Sequence, residues 1–247
     1  MTELPYCGTA PLPGELLMRF NFDPVLVAAL VGVAGLHLWA ARRLPPRQLF
    51  CGLIGWILAA AAFFSPLCAL SVALFSARVA QHMILVLVAA PLIAAGTAAR
   101  EPRGVWSLWL SVLAFFVSLW FWHMPLPYEA TFHSVAVYWC MHLSLFGSGI
   151  WFWYALMHHA RVHVVDAFAA GTLTSIQMGM LGAFLSLADH VLFRWHLLTT
   201  SAWHLTPLED QQLGGVLMWV PGIIIFLWAA VRSLARLWAT LDGVRAA

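Results

Sequence analysis

Three histidine–methionine neighbours, His82-Met83, His123-Met124 and Met141-His142, stand in or at the ends of three different apolar stretches of this chain. Imidazole and thioether are borderline and soft ligands. With no cluster of carboxylates beside them, they suit copper better than calcium or magnesium. An imidazole inside a membrane is costly and ordinarily faces the bundle interior with a partner. Arg78 lies four residues before His82 and shares its helix face. A nearby cation keeps an imidazole neutral, as a metal ligand must be, but it also repels a metal ion. Single methionines in apolar helices ordinarily just fill space, and His133, His190, His196 and His204 read as hydrogen-bonded structural residues.

A second polar group sits at the lip of a late apolar segment, "WHLTPLEDQQLGGVLMWVPG" (203–222). Thr206, Pro207 and Glu209 have the spacing of a capping box with proline at the first helical position. Asp210, Gly214 and Met218 recur in steps of four and share a face, with Gly215 beside them. The glycines permit close approach of a neighbouring helix. The expectation is that Glu209 only starts a helix. Asp210, Gln211 and Gln212 are expected to face a polar layer formed with His82, His123 and His142. The candidate metal set is therefore His82, His123 and His142, completed or tuned by Met83, Met218 or Asp210.

The elements that must position these residues are set by composition. The chain has 247 residues, 63% hydrophobic and 9% charged, with 14 Trp and a mean hydropathy of +0.87. Soluble domains carry about 25% charged residues, so the solvent for most of this chain is lipid. A spanning helix needs about 20 apolar residues. Seven stretches qualify, at 24–42, 48–65, 79–97, 104–123, 135–157, 164–188 and 207–231, separated by turn chemistry such as "RRLPPRQ" and "HMPLPYE". The apolar segment "LCALSVALFSA" (67–77) reads as an interfacial turn or a lead into the third helix. The expected fold is an all-α polytopic bundle, with residues 1–23 outside, 24–236 as the transmembrane domain and 237–247 as a cytoplasmic tail.

Orientation follows from arginine. Arg42, Arg43, Arg47, Arg100, Arg103, Arg161, Arg232, Arg236 and Arg245 fall on one side, and Arg19, Arg78 and Arg194 on the other. This puts the N-terminus outside and the C-terminus in the cytoplasm. The first residues have neither the basic nor the apolar region of a cleaved signal peptide. None of Cys7, Cys51, Cys68 and Cys140 forms CxxC or CxxxC, so no thiol clamp or zinc knuckle is encoded. Whether Cys7 and Cys68 meet on one side of the membrane is left open. No GxSxG, HExxH, P-loop or dinucleotide turn is present, which argues against an enzyme, and no basic patch suggests nucleic acid.

Three blocks carry a resemblance. "SPLCALSVALFSARVAQHMILVLVAAPLIAAG" (65–96), "WHMPLPYEATFHSVAVYWCMHLSLFGSGIWFW" (122–153) and "LTPLEDQQLGGVLMWVPG" (205–222) resemble the CtaG-like family of cytochrome c oxidase assembly factors, polytopic proteins first associated with caa-type oxidases. The family's signature polar positions fall here on Gln81 and His82, Trp122 and His123, His142, and Asp210, Gln211 and Gln212. Arg78 departs from the pattern, since many members carry a histidine there. The resemblance implies a multi-pass protein of the bacterial inner membrane that helps mature a haem-copper oxidase at its copper stage. Its partners would be oxidase subunits and a periplasmic copper chaperone. Two other readings stay open: a haem protein with His82 and His142 as axial ligands, and a ligand-free scaffold whose polar layer only locks helices together.

Overall fold

Charged residues are scarce and apolar runs are long, so the backbone must satisfy its own hydrogen bonds, and helices do so. The computed structural model describes residues 4–99, 104–160 and 162–245, with only some side chains beyond residue 225. Among the described residues every regular element is helical: α1 (Pro24–Ala41), α2 (Pro46–Phe64), α3 (Leu67–Ala73), α4 (Phe75–Met83), a π-helical segment (Ile84–Ala89), α5 (Ala90–Ala95), α6 (Trp106–Trp122), α7 (Pro125–His133), α8 (Val135–His159), α9 (Val164–Ser186) and α10 (Pro207–Arg245), with short 3-10 turns between some of them.

The protein is a multi-pass helical membrane protein. Five segments are long and apolar enough to cross a membrane: Pro24–Ala41, Pro46–Phe64, Phe75–Ala95, Val135–His159 and Val164–Ser186. A sixth is added if Trp106–Trp122 and Pro125–His133, bent by 73°, form one broken span. Their outward faces carry bare apolar side chains such as Leu36, Leu113, Leu143 and Ile176, as a lipid-facing surface does. Of the arginines read as inner, Arg100, Arg103 and Arg161 lie outside the described residues.

The structure corrects the sequence reading at two places. The helix expected to end near residue 231 runs on to Arg245, through Pro221 and through the stretch expected to be a tail. The helix expected to start near Val79 starts at Phe75, and the apolar lead before it is a separate helix, α3. The chain breaks at Leu74, whose backbone is extended (φ −127°, ψ 133°). Both sides of this buried break are satisfied. The carbonyl of Val72 accepts from the Trp195 indole (3.1 Å), and that of Ala73 from the Thr199 hydroxyl (2.6 Å) and His196 Nδ1 (3.1 Å). On the other side, the amides of Phe75 and Ser76 donate to Asp210 (2.6 and 3.1 Å).

Further along the same span, Pro91 has no amide to give to the carbonyl of Leu87, one turn earlier. The wider π turn over Ile84–Ala89 absorbs that loss, with the Ala90 amide bonded to Leu85. The Trp153 indole takes the Val86 carbonyl (2.7 Å).

α10 packs against α9 and α4 through the expected glycines. A methyl at Gly214 would meet the Phe75 ring at 2.5 Å, and one at Gly215 would meet the Gly182 carbonyl at 2.6 Å. The second neighbour is backbone and has little room to yield. Gly215→Val is therefore expected to destabilise the bundle by about 1–3 kcal/mol through overpacking. Gly147→Ala, at a position with nothing within 4 Å, should be neutral. Thermal unfolding of both variants in detergent checks this pair.

Candidate functional site

His82 stands on α4 and His142 on α8. Each lies seven residues past the first residue of its helix, so both sit about 10 Å in from the same end of the bundle. His123 caps the C-terminus of α6 at that end. All three are buried. The His82 ring lies edge to face with His123, centroids 5.5 Å apart, and with His142, centroids 5.2 Å apart. Phe63 closes one side of His142 at 5.0 Å, and Tyr138 another at 4.3 Å.

Hydrogen bonds fix the tautomers. His123 Nδ1 is 2.7 Å from the Leu119 carbonyl, and His142 Nδ1 is 3.1 Å from the Tyr138 carbonyl. A carbonyl only accepts, so Nδ1 carries the proton in both rings and Nε2 of the neutral ring holds a lone pair. Neither Nε2 has a partner, and both nitrogens of His82 are likewise unpaired. Elsewhere the described imidazoles differ. His37 bonds Trp56 and Thr97. His159 bonds the carbonyls of Ala155 and Gly104. His196 bonds Ala73 and the Tyr128 hydroxyl. Among the described residues, the unpartnered buried imidazole nitrogens belong to His82, His123 and His142.

This donor set is chemically specific. An imidazole that ligates through nitrogen at about 2.0 Å puts its ring centre about 3.2 Å from the ion, so two such rings at tetrahedral to trigonal angles stand about 5.2–5.5 Å apart. Both separations around His82 fit. Among the described residues, however, no group of three or more His, Cys, Asp or Glu side chains stands ready to hold a metal ion as placed. Two rings are anchored through Nδ1 and the third, His82, is not.

The other expected members lie elsewhere. Asp210 is buried on α10, but its carboxylate accepts from the amides of Phe75 and Ser76 and from the Ser76 hydroxyl. It takes the place of a capping side chain for the first amides of α4, supplied from another helix. Gln211 accepts from the Leu192 amide (2.7 Å) and donates to the His190 carbonyl (3.2 Å), and Gln212 donates to the Ala188 carbonyl (3.0 Å). These three side chains bind the start of α4 and the 188–192 loop, which corrects the expectation that they face the histidines. Met83 and Met218 are buried among Val79, Val86, Met178 and other apolar side chains. Glu209 and Thr206 form the expected capping box, with Thr206 N to Glu209 Oε2 at 2.8 Å and Glu209 N to Thr206 Oγ1 at 3.2 Å.

Two neighbours of the histidines carry more than the sequence revealed. Arg78 is buried with its guanidinium 3.9 Å from the Phe132 ring centre and 5.9 Å from that of Tyr138. It donates to Thr131 (2.6 Å), and its Nε has no partner. No carboxylate among the described residues pairs with it. Tyr138 lies four residues before His142, a spacing that marks it as a neighbour on the same face. Gln81 donates to the Ala62 carbonyl (2.8 Å) and Trp122 to Ser144 (2.7 Å), so both motif residues fasten helices around the site. A cavity of about 540 Å³, lined by Arg47, Gln48, Cys51, Trp153 and Met157 among others, lies at the opposite end of the bundle and includes none of the three histidines.

The chain matches the family model described as cytochrome c oxidase caa3 assembly factor (Caa3_CtaG) over residues 30–240. It belongs to that family. The match covers the helices that carry all three histidines, and the expected resemblance holds. Neither a curated protein nor a solved structure matches the chain.

Because the Asp210 carboxylate holds two amides and a hydroxyl in a buried place, Asp210→Ala should lower stability by about 2–3 kcal/mol. Asp210→Asn, which keeps an acceptor, should cost less. Thermal melts of the two variants are the check, and unchanged melting of Asp210→Ala would remove the capping role.

Proposed function

We propose that this caa3-type assembly factor holds Cu(I) between His82, His123 and His142 and passes it to a cytochrome c oxidase subunit during maturation of the enzyme. The observation that carries the reading is the set of buried imidazole nitrogens without partners, with the His82 ring 5.5 Å from that of His123 and 5.2 Å from that of His142. Three neutral imidazoles suit Cu(I). The buried Arg78 cation beside them weakens the hold on a second positive charge, which favours release over storage. A carrier of this kind catalyses no bond change, so the role is not enzymatic. Arg78 opposes tight binding even though its position is compatible with neutral rings.

In this reading Pro207–Arg245 is the seventh span, and the bent α7 lies on the outer surface. The end that carries the N-terminal segment, α3 and α7 faces the periplasm of a bacterial inner membrane. Arg42 and Arg43 between α1 and α2, Arg47 in the first turn of α2, and Arg232 far along α10 then lie on the cytoplasmic side, as the positive-inside rule asks. Copper would arrive from a periplasmic chaperone and travel about 10 Å inward to the histidines. The haem alternative is disfavoured by the same geometry, because His82 and His142 rings 5.2 Å apart leave no room for a porphyrin between them.

Anaerobic titration of the purified protein with Cu(I) against a chromophoric chelator tests the proposal. One exchangeable Cu(I) per chain is expected, falling to none in a His82→Ala, His142→Ala double variant that still melts cooperatively. Asp210→Asn should keep its copper. Full retention of copper in the histidine variant overturns the site.

A further inference from the structure

The sulfurs of Cys7 and Cys68 form a disulfide at the same end of the bundle as the histidines. Cys68 is fully buried and Cys7 is partly exposed. Two polar groups address the pair. The Tyr138 hydroxyl lies 3.4 Å from Cys7 Sγ and 3.8 Å from Cys68 Sγ, and the Asn21 amide donates to Cys68 Sγ at 3.7 Å. The other end of Tyr138 leads to the candidate site: its ring centre is 4.3 Å from that of His142, and its carbonyl holds His142 Nδ1.

The N-terminal segment is docked independently of the sulfurs. Tyr6 stacks on Tyr138 at 4.9 Å and meets Trp139 edge to face at 5.0 Å. Its hydroxyl donates to Asp23 (2.6 Å) and holds that carboxyl below its ordinary range. Cys7 therefore stays beside Cys68 whether or not they are bonded.

The geometry points to a second copper station: the Cys7–Cys68 pair, once reduced, binds Cu(I) as a bis-thiolate and stands one tyrosine ring away from His142. The sulfur pair as a Cu(I) site stands on its own contacts, while its place as the entry step rests on the histidine reading above. Thiolates are soft ligands that select Cu(I).

Opening the pair requires an external dithiol, the class of reductant that exchanges with disulfides. Its thiolate attacks Cys7, the less buried of the two, and forms a mixed disulfide. The electrons of the broken bond leave on Cys68, where the Asn21 amide and the Tyr138 hydroxyl stabilise the thiolate. The second thiol of the reductant then attacks its own sulfur of the mixed disulfide and releases Cys7, so one disulfide is reduced and one dithiol oxidised. Cu(I) binding displaces the remaining thiol protons and leaves a complex of net charge −1. Arg19, whose guanidinium donates to Thr9 just past Cys7 (2.7 and 2.8 Å), and Arg78, 5.9 Å from the Tyr138 ring centre, are the nearby cations.

The test compares Cu(I) stoichiometry of the full chain in detergent, oxidised and after dithiothreitol reduction and anaerobic desalting. Reduced protein is expected to bind one Cu(I) more than oxidised protein. Cys51 and Cys140 are free thiols in both states and cancel from the difference. In Cys7→Ser, Cys68→Ser protein the two treatments should give the same stoichiometry. The single variant Cys7→Ser, which leaves Cys68 in its pocket, should abolish the extra ion as well and guards against a folding defect in the double variant. Equal binding before and after reduction of the native chain overturns the inference. Failure of the histidine site shows separately, as absence of copper from the oxidised protein. Mass spectrometry of a glutathione adduct should find it on Cys7, and an adduct on Cys68 contradicts the proposed direction of exchange.

Discussion

The position of His82 depends on how α4 begins, and α4 begins on a carboxylate from another helix. Asp210 takes the first amides of α4, while carbonyls at the end of α3 are taken by Trp195, His196 and Thr199. A break at the buried head of a span leaves backbone groups without water, and each unpaired group there costs a few kcal/mol. Here the break persists because side chains from α10 and the 194–199 turn replace the lost helical bonds. It sets the phase and depth of α4, and so brings His82 level with His142. Residues of α10 and the 194–199 turn thus help to position His82 on α4.

That construction throws the histidines into relief. Side chains satisfy several buried backbone groups, with Gln81 on Ala62, Trp153 on Val86 and Gln211 on the 190–192 loop, while scattered single atoms such as Gln81 Oε1, Thr174 Oγ1 and Gln177 Nε2 go without a partner. Against this background, four buried imidazole nitrogens on His82, His123 and His142 are left unpaired. An imidazole could be replaced by an apolar side chain if packing were its only task. Two of the rings are oriented through Nδ1, and a second-sphere contact of that kind supports the copper reading proposed above.

Legibility in the sequence followed distance along the chain. The capping box of Thr206 and Glu209 was readable because its partners are three residues apart, and Gly214 and Gly215 marked close packing because small residues at helical spacing have few other uses. The three histidines were readable from their types and depth in apolar stretches. The destination of Asp210 was not, because its partners are 134 and 135 residues away. Nor was the Leu74 break, which lies in an unbroken apolar run with no glycine or proline and is made by tertiary contacts alone. Methionine misled for a simpler reason. Met83 and Met218 are soft ligands by chemistry, yet in this core they are space-filling side chains among valines and a third methionine.

X-ray absorption at the copper edge, measured on oxidised protein loaded with one Cu(I) per chain, probes the central claim most directly. With Cys7 and Cys68 bonded, the account predicts a first shell of nitrogen only, with the outer-shell scattering of imidazole rings, and loss of that pattern in His142→Ala. A first shell containing sulfur, or one without imidazole scattering, would contradict it.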